Sequence, residues 1–240
     1  MRFQKAAIIP IVVVIACLIP FTNKAFHIDD PLFILAAKHI QTSPGNFYEF
    51  FVNWYVWEMP MSKVLKNPPI ACYFLALIGK LFGWKEAALH ISLLFPAAAM
   101  ALVTYYLAGK LCSRPVLAVC AAVLTPVFLV SSTNIMCDTM MLAFWVWAVF
   151  FWMRGIETNN GWNLFLSAIL ISICALTKYF GIALLALLPA YSIMRKRKIG
   201  TEVLFLLIPI IILAGYQLLT NELYGRGLLW MRRLMPQKKE

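Results

Sequence analysis

Residues 87–108 read AALHISLLFPAAAMALVTYYLA, an apolar run without a single charged side chain. As a helix this run would be about 33 Å long, at about 1.5 Å per residue, and would cross the roughly 30 Å hydrocarbon core of a bilayer. Further apolar runs lie at about 6–21, 116–133, 139–153, 163–177, 179–194 and 202–220. The sequence therefore predicts an all-α, polytopic membrane helix bundle of about seven transmembrane helices, forming a single membrane domain over 1–240.

The composition excludes the common soluble classes. Hydrophobic residues make up 62% of the chain and charged residues 13%, against roughly half and a quarter in soluble domains. The net charge of +11 comes from basic residues that fall in short loops between apolar runs, a pattern that indicates membrane topology instead of nucleic-acid binding. The six cysteines form no CxxC pair, so they are interpreted as small core residues and not as a metal or disulfide set.

Loop charge also predicts the orientation, because short basic loops favour the cytoplasmic side. If the apolar run 68–83 crossed the bilayer, the Arg195–Lys198 cluster would lie opposite the basic N-terminus. We therefore interpret 68–83 as a re-entrant or interfacial helix. The N-terminus is then cytoplasmic, 6–21 is the first span, 22–86 is an outer loop, 87–220 holds six further spans, and 221–240 is an outer basic tail.

The outer loop carries two helix-start signals. Asp30 followed by proline predicts a helix to about Ile40, and Asn46 with Glu49 has the spacing of a capping box for a second helix. The surrounding segment is rich in aromatic residues, which favour the headgroup layer. We expect two short helices that lie flat on the outer surface.

Lys178 separates the apolar runs 163–177 and 179–194. As one helix these runs would measure about 48 Å, which is too long for one crossing. The sequence predicts two short helices that turn back at Lys178. An ionisable residue at membrane depth indicates function, although a lysine can also extend to the interface.

The chain has three aspartates, Asp29, Asp30 and Asp138, and the predicted topology puts all three at outer helix ends. Carboxylates grouped at the mouth of a membrane cavity suit general-base or metal chemistry. Asp30 and Asp138 could equally cap the helices that follow them. Lys66 could contact lipid headgroups or a ligand phosphate.

Four motifs follow one another along the chain: HIDDPLF at 27–33, NPPI at 67–70, CDT at 137–139 and LTK at 176–178. This ordered set resembles the membrane glycosyltransferases of the GT-C fold, specifically the dolichyl-phosphate-mannose–protein mannosyltransferases and the aminoarabinose transferases. Those proteins carry an Asp-Glu pair, Lys-Pro-Pro-Leu, Pro-Asp and Leu-Thr-Lys in the same order.

The resemblance implies transfer of a sugar from a polyprenyl-phosphate carrier to a lipid, glycan or protein acceptor at the extracytoplasmic face, with inversion. It assigns Asp29 as the general base on the acceptor. Asp30 and Asp138 would shape the site or hold a divalent ion, and metal use is left open with no other cofactor implied. The membrane would be the bacterial inner membrane in preference to the endoplasmic reticulum.

The resemblance also implies a cationic site for the leaving phosphate. Lys178 would supply it, with Lys66 as a second cation, because Asn67 stands where the family has lysine.

Two alternatives are weaker. A non-enzymatic or inactive, truncated lipid-carrier-binding subunit is favoured by Asn67 and by the short chain. A transporter ranks third, because the sequence has no inverted repeat and its aspartates gather at one face.

Overall fold

The computed structural model describes residues 5–198 and 200–229, and their fold is almost entirely helical. In chain order the α-helices are α1 Ile8–Leu18, α2 Asp30–Thr42, α3 Met61–Val64, α4 Ile70–Phe82, α5 Glu86–Leu111, α6 Pro115–Val123, α7 Pro126–Ser132, α8 Asp138–Thr158, α9 Gly161–Thr177, α10 Leu184–Lys196 and α11 Leu207–Tyr224. Short 3-10 turns lie at Lys5–Ala7, Ile19–Phe21, Tyr179–Ala183 and Thr201–Leu206. The predicted class, an all-α membrane helix bundle, is confirmed.

The bundle packs around three apolar clusters. One joins α2, α3 and α4 to the first turns of α5 and α8 and to the C-terminal part of α11. A second joins α1 to α5, α6 and α7, and the third joins α8, α9 and α10. Because α5 and α8 contribute to more than one cluster, these two helices form the central pair of the bundle.

The number of spans is lower than the seven predicted. Among the described residues, three helices are long and apolar enough to cross a membrane: Glu86–Leu111, Asp138–Thr158 and Thr201–Tyr224. The predicted span 116–133 is instead α6 and α7, bent by 64° at a break, and counts as a fourth crossing only if the bent pair is one span. The bend has a local cause, because Thr125 caps α7 through its hydroxyl and Pro126 occupies the first turn.

The remaining apolar runs form shorter helices, at Lys5–Phe21, Ile70–Phe82 and Gly161–Thr177. The helix α4, with 13 residues, is about 20 Å long at about 1.5 Å per residue, well short of a bilayer core. Its length agrees with an interfacial or re-entrant segment, and its depth in the membrane stays a prediction.

The chain reverses at Lys178, as predicted. Lys178 has extended backbone angles and ends α9, and the following 3-10 turn folds back onto that helix. An added Cβ at Gly181 would lie 2.5 Å from the backbone nitrogen of Ala175, so the close approach requires glycine. Trp152 of α8 donates its indole N–H to Ser192 of α10 at 2.9 Å, which fixes α10 alongside α8.

The outer-loop predictions were half right. A helix begins at Asp30 and runs to Thr42, but the second predicted helix is absent from the described residues. Asn46 and Glu49 hydrogen-bond to each other through their side chains and close a turn. An antiparallel hairpin follows, β1 Phe51–Asn53 with β2 Glu58–Pro60. The capping-box spacing was therefore satisfied by a turn, and the aromatic residues Trp54, Tyr55 and Trp57 lie in the connection between the two strands.

The cysteines are free thiols. Cys72, Cys137 and Cys174 are fully buried, in agreement with their interpretation as small core residues. The basic tail predicted over 221–240 lies largely outside the described residues; up to Leu229 the chain folds back on α11, where Leu228 N–H donates to the Thr220 hydroxyl at 3.0 Å.

Candidate functional site

The two ends of the bundle differ in their side chains. Lys110 and Glu157 form an ion pair that joins the C-terminal ends of α5 and α8. The first residues of both helices, Glu86 and Asp138, therefore lie at the opposite end. We call this end, which carries Asp29, Asp30 and Asp138, the carboxylate end.

Asp138 and Lys178 are in direct contact. The ammonium of Lys178 donates to Asp138 Oδ1 at 2.5 Å, and about one third of each side chain is exposed. A pair with this exposure contributes at most about 1 kcal/mol to stability, so its main effect is to orient the ammonium. Two of the three donors of Lys178 are left for a ligand. Asp138 begins α8 but makes no side-chain cap, since its carboxylate faces Lys178.

Asp30 has a structural role that differs from both predicted ones. It is fully buried, and it does not cap α2, which has no side-chain cap bond. Its Oδ2 accepts the His27 N–H at 2.7 Å, and its Oδ1 accepts the Ile135 N–H at 2.8 Å. The carboxylate thus joins the segment before α2 to the segment before α8, and it is not free to act on a substrate.

Asp29 contrasts with its neighbour. It is half-buried, and the structure shows no hydrogen bond or ion pair for its carboxylate within the described ranges. The backbone carbonyl of Asp29 accepts the Leu32 N–H at 3.2 Å, which fixes the residue at the start of α2. Its carboxylate is therefore available to accept a proton, and the Asp30 bond to Ile135 holds it at the same end as Asp138.

Lys66 and Asn67 stand at the entry to α4. Lys66 is exposed and Asn67 half-buried. Tyr48, which is 1% exposed, donates its hydroxyl to the Asn67 carbonyl at 2.8 Å. Burial, followed by a smaller effect of Cys72, raises the pKa of Tyr48 well above its usual value, so the phenol keeps the proton that makes this bond. The Asn67 backbone is fixed by this bond, and its side-chain amide makes no hydrogen bond to another described residue.

An apolar groove of about 680 Å³ runs between α4, α5, α8 and α9. It begins at Ile70 and Met140, which lie three residues after Asn67 and two after Asp138, and it reaches Phe151 along α8. That stretch of helix is about 17 Å long at about 1.5 Å per residue. The groove therefore leads from the carboxylate end into the apolar part of the bundle.

The sequence pattern did not reveal this groove. Trp147, which lies in the apolar run 139–153, lines the groove and donates its indole N–H to the Ala99 carbonyl at 3.0 Å. The lining residues come from four helices and share no spacing or motif, so only the packing brings them together.

The carboxylates proposed for a divalent ion, Asp30 and Asp138, do not fit that role. Both oxygens of Asp30 accept backbone N–H groups, and Asp138 is paired with Lys178. Within the described residues there is no group of three or more His, Cys, Asp or Glu side chains that could hold a metal ion.

The described residues thus form a helical membrane bundle with an apolar groove beside a carboxylate–ammonium pair. A family model described as dolichyl-phosphate-mannose-protein mannosyltransferase matches residues 66–217, more than half of the chain, and the chain belongs to that family. The family indicates a glycosyltransferase of the mannosyltransferase type. No curated protein and no solved structure matches the chain.

The matched range separates the candidate residues. The match includes four of them: Lys66, Asn67, Asp138 and Lys178. The other two, Asp29 and Asp30, lie before the match.

The different roles of Asp29 and Asp30 predict different costs of the same substitution. In Asp30→Asn the new amide nitrogen would face one of the two N–H donors, and the charge that both bonds depend on is lost. We expect Asp30→Asn to lower the free energy of unfolding by about 3 kcal/mol. The matched Asp29→Asn should change it by less than about 0.5 kcal/mol. Unfolding in detergent, followed by circular dichroism, measures both values, and equal losses would contradict the assignment.

Proposed function

We propose that this protein transfers a sugar from a polyprenyl-phosphate carrier to an acceptor at the extracytoplasmic face of the membrane, with inversion at the anomeric carbon. The observation that carries this proposal is the apolar groove that begins beside Asp138, Lys178 and Asn67. A polyprenyl chain is a long apolar ligand with a charged phosphate at one end. A groove with apolar walls and a cation near its entrance matches that distribution of polarity.

In the proposed reaction the acceptor hydroxyl attacks the anomeric carbon, and the bond from that carbon to the phosphate oxygen breaks. Asp29 accepts the hydroxyl proton, because it is the aspartate at this end whose carboxylate has no protein partner in the described ranges. The polyprenyl phosphate leaves with the bonding electrons and gains negative charge. Lys178, with Lys66 as a second cation, stabilises that charge.

Asp138 acts in this proposal by positioning Lys178. The pair keeps the ammonium at the start of α8, where the groove begins, instead of leaving it to extend into solvent. Because Asp138 takes one donor only, the phosphate can use the others.

The distribution of charge supports the extracytoplasmic location. Among the residues at or beside the short loops that join the long helices, Lys110, Arg154 and Arg195 lie on the far halves of α5, α8 and α10, away from the carboxylate end. Basic residues concentrate on the cytoplasmic side of membrane proteins. The acceptor would therefore be a lipid, glycan or protein outside the cytoplasm, and the bacterial inner membrane is the proposed location.

Binding of the carrier in the apolar groove is tested by placing a larger side chain in the groove. Ala99 lines the groove and its neighbour Ala98 does not, while both residues are half-buried on α5. Ala99→Trp should displace about 60 Å² of carrier contact, which at about 25 cal/mol per Å² corresponds to roughly tenfold weaker binding. The measurement is binding of undecaprenyl phosphate by native mass spectrometry. Ala98→Trp is the control, and equal effects of the two substitutions would contradict the groove.

The general base is tested by turnover. Because an amide cannot accept the proton, Asp29→Asn should reduce transfer about 10²- to 10⁴-fold while leaving carrier binding unchanged. Membranes that contain the protein are incubated with radiolabelled mannosyl-phosphoryl-undecaprenol, and label in the acceptor fraction is counted. Unchanged transfer by Asp29→Asn would contradict the mechanism. Carrier binding without transfer by the wild type would instead favour the non-enzymatic carrier-binding subunit.

The orientation is tested by labelling thiols on intact cells. Cys137 is buried and cannot report, but Ile28, beside Asp29, is 77% exposed and Cys112 at the other end is exposed. A membrane-impermeant maleimide should label Ile28→Cys in a Cys112→Ser background, and should label Cys112 of the wild type only after permeabilisation. The background alone is the control, and the reverse pattern would place the carboxylate end in the cytoplasm.

A further inference from the structure

A second cavity, of about 270 Å³, lies between the hairpin, α3 and the C-terminal end of α11. It shares no lining residue with the apolar groove. Two cations line it, Lys63 and Arg226, together with one acid, Glu49, and aromatic side chains of the hairpin and α11. The residues proposed above for sugar transfer do not line this cavity.

The cations of this cavity are available to a ligand. Arg226 uses one guanidinium nitrogen to bind the Ser62 carbonyl at 2.8 Å, which fixes the side chain and leaves its other donors unused. Lys63 is exposed and has no ion pair among the residues that the structure describes. Glu49 already accepts a hydrogen bond from the Asn46 amide. Because the amide of Asn46 is neutral, this bond leaves the charge of Glu49 in place, and the two cations and one carboxylate that line the cavity give it a net charge of +1.

A hydroxyl donor stands on the same wall. Tyr224 lines the cavity and its oxygen accepts the Tyr48 N–H at 3.0 Å. That bond orients the phenol and leaves its own proton to be donated. An ammonium, a guanidinium and a hydroxyl thus belong to residues that line one cavity, and these are groups that bind a phosphate through charge-assisted hydrogen bonds.

The hairpin beside the cavity has the properties of a membrane-interface element. Phe51, Tyr55 and Trp57 are 63%, 52% and 58% exposed, and Val56 between them is 90% exposed. Aromatic side chains at this exposure lie favourably at the level of lipid headgroups. The cavity thus opens next to a segment suited to the layer in which lipid phosphates are found.

We propose that this cavity binds the phosphate of an anionic lipid headgroup. Its volume is below the roughly 300–1,000 Å³ of pockets that enclose a whole ligand, which suits a headgroup phosphate better than a lipid-linked sugar. Basic clusters at a membrane surface attract anionic lipids, and here Arg226 is fixed in advance by the Ser62 carbonyl. This inference is independent of the transfer reaction.

The test compares lipids bound by the purified protein in native mass spectrometry, with phosphatidylglycerol and phosphatidylcholine as probes. The wild type should retain one phosphatidylglycerol preferentially. Lys63→Gln should weaken that binding by about tenfold or more, the loss expected for a charge-assisted hydrogen bond. Arg226→Gln should have a similar effect; because it also removes the Ser62 bond, Lys63→Gln is the variant on which the result depends.

Lys80→Gln is the matched control, since Lys80 is exposed on α4 and lines neither cavity. Equal losses in Lys63→Gln and Lys80→Gln would overturn the proposal, because they would indicate general charge attraction. Displacement of the lipid by millimolar inorganic phosphate would also overturn it, by showing that the cavity takes the free anion. Asp29→Asn should bind the lipid normally whether or not the protein transfers a sugar.

Discussion

The arrangement of the carboxylate end depends on one buried carboxylate that forms no ion pair with any described residue. Asp30 is completely removed from solvent, and its two oxygens are satisfied by the backbone N–H groups of His27 and Ile135. Burying a carboxylate is costly unless its lone pairs are occupied, so the two segments that supply these donors are held in place together. One of them leads into α2 and the other into α8.

Because of these two hydrogen bonds, the adjacent residues Asp29 and Asp30 differ in how available their carboxylates are. Both carboxylate oxygens of Asp30 accept backbone hydrogen bonds. The carboxylate of Asp29, one residue earlier, has no partner in the described ranges. Three residues after Ile135, Asp138 holds the ammonium of Lys178 at the start of the groove. The site thus combines the unpaired carboxylate of Asp29, the oriented ammonium of Lys178 and the apolar groove. The two hydrogen bonds of Asp30 help to fix the backbone at this end of the bundle.

Much of this could be predicted from the sequence, and the part that could not has a physical reason. The helical class follows from apolar composition, the start of α2 from Asp30-Pro31, and the reversal at Lys178 from the length of the flanking runs. The seven spans were overcounted because hydropathy does not register the bend before Pro126 or the shortness of the helices at Lys5–Phe21 and Gly161–Thr177. The role of Asp30 was missed because its partner Ile135 is 105 positions away, and no local pattern encodes such a bond.

The hydrogen bond between the Ile135 N–H and the Asp30 carboxylate also crosses the boundary of the family match. The family match begins at residue 66, so Ile135 lies inside it and Asp30 outside. A chain that started at the matched boundary would leave the buried Ile135 N–H without its acceptor and would remove α2 from the cluster it shares with α4 and α8. The matched stretch therefore depends on residues that precede it for the acceptor of a buried backbone N–H and for part of the apolar packing around α4.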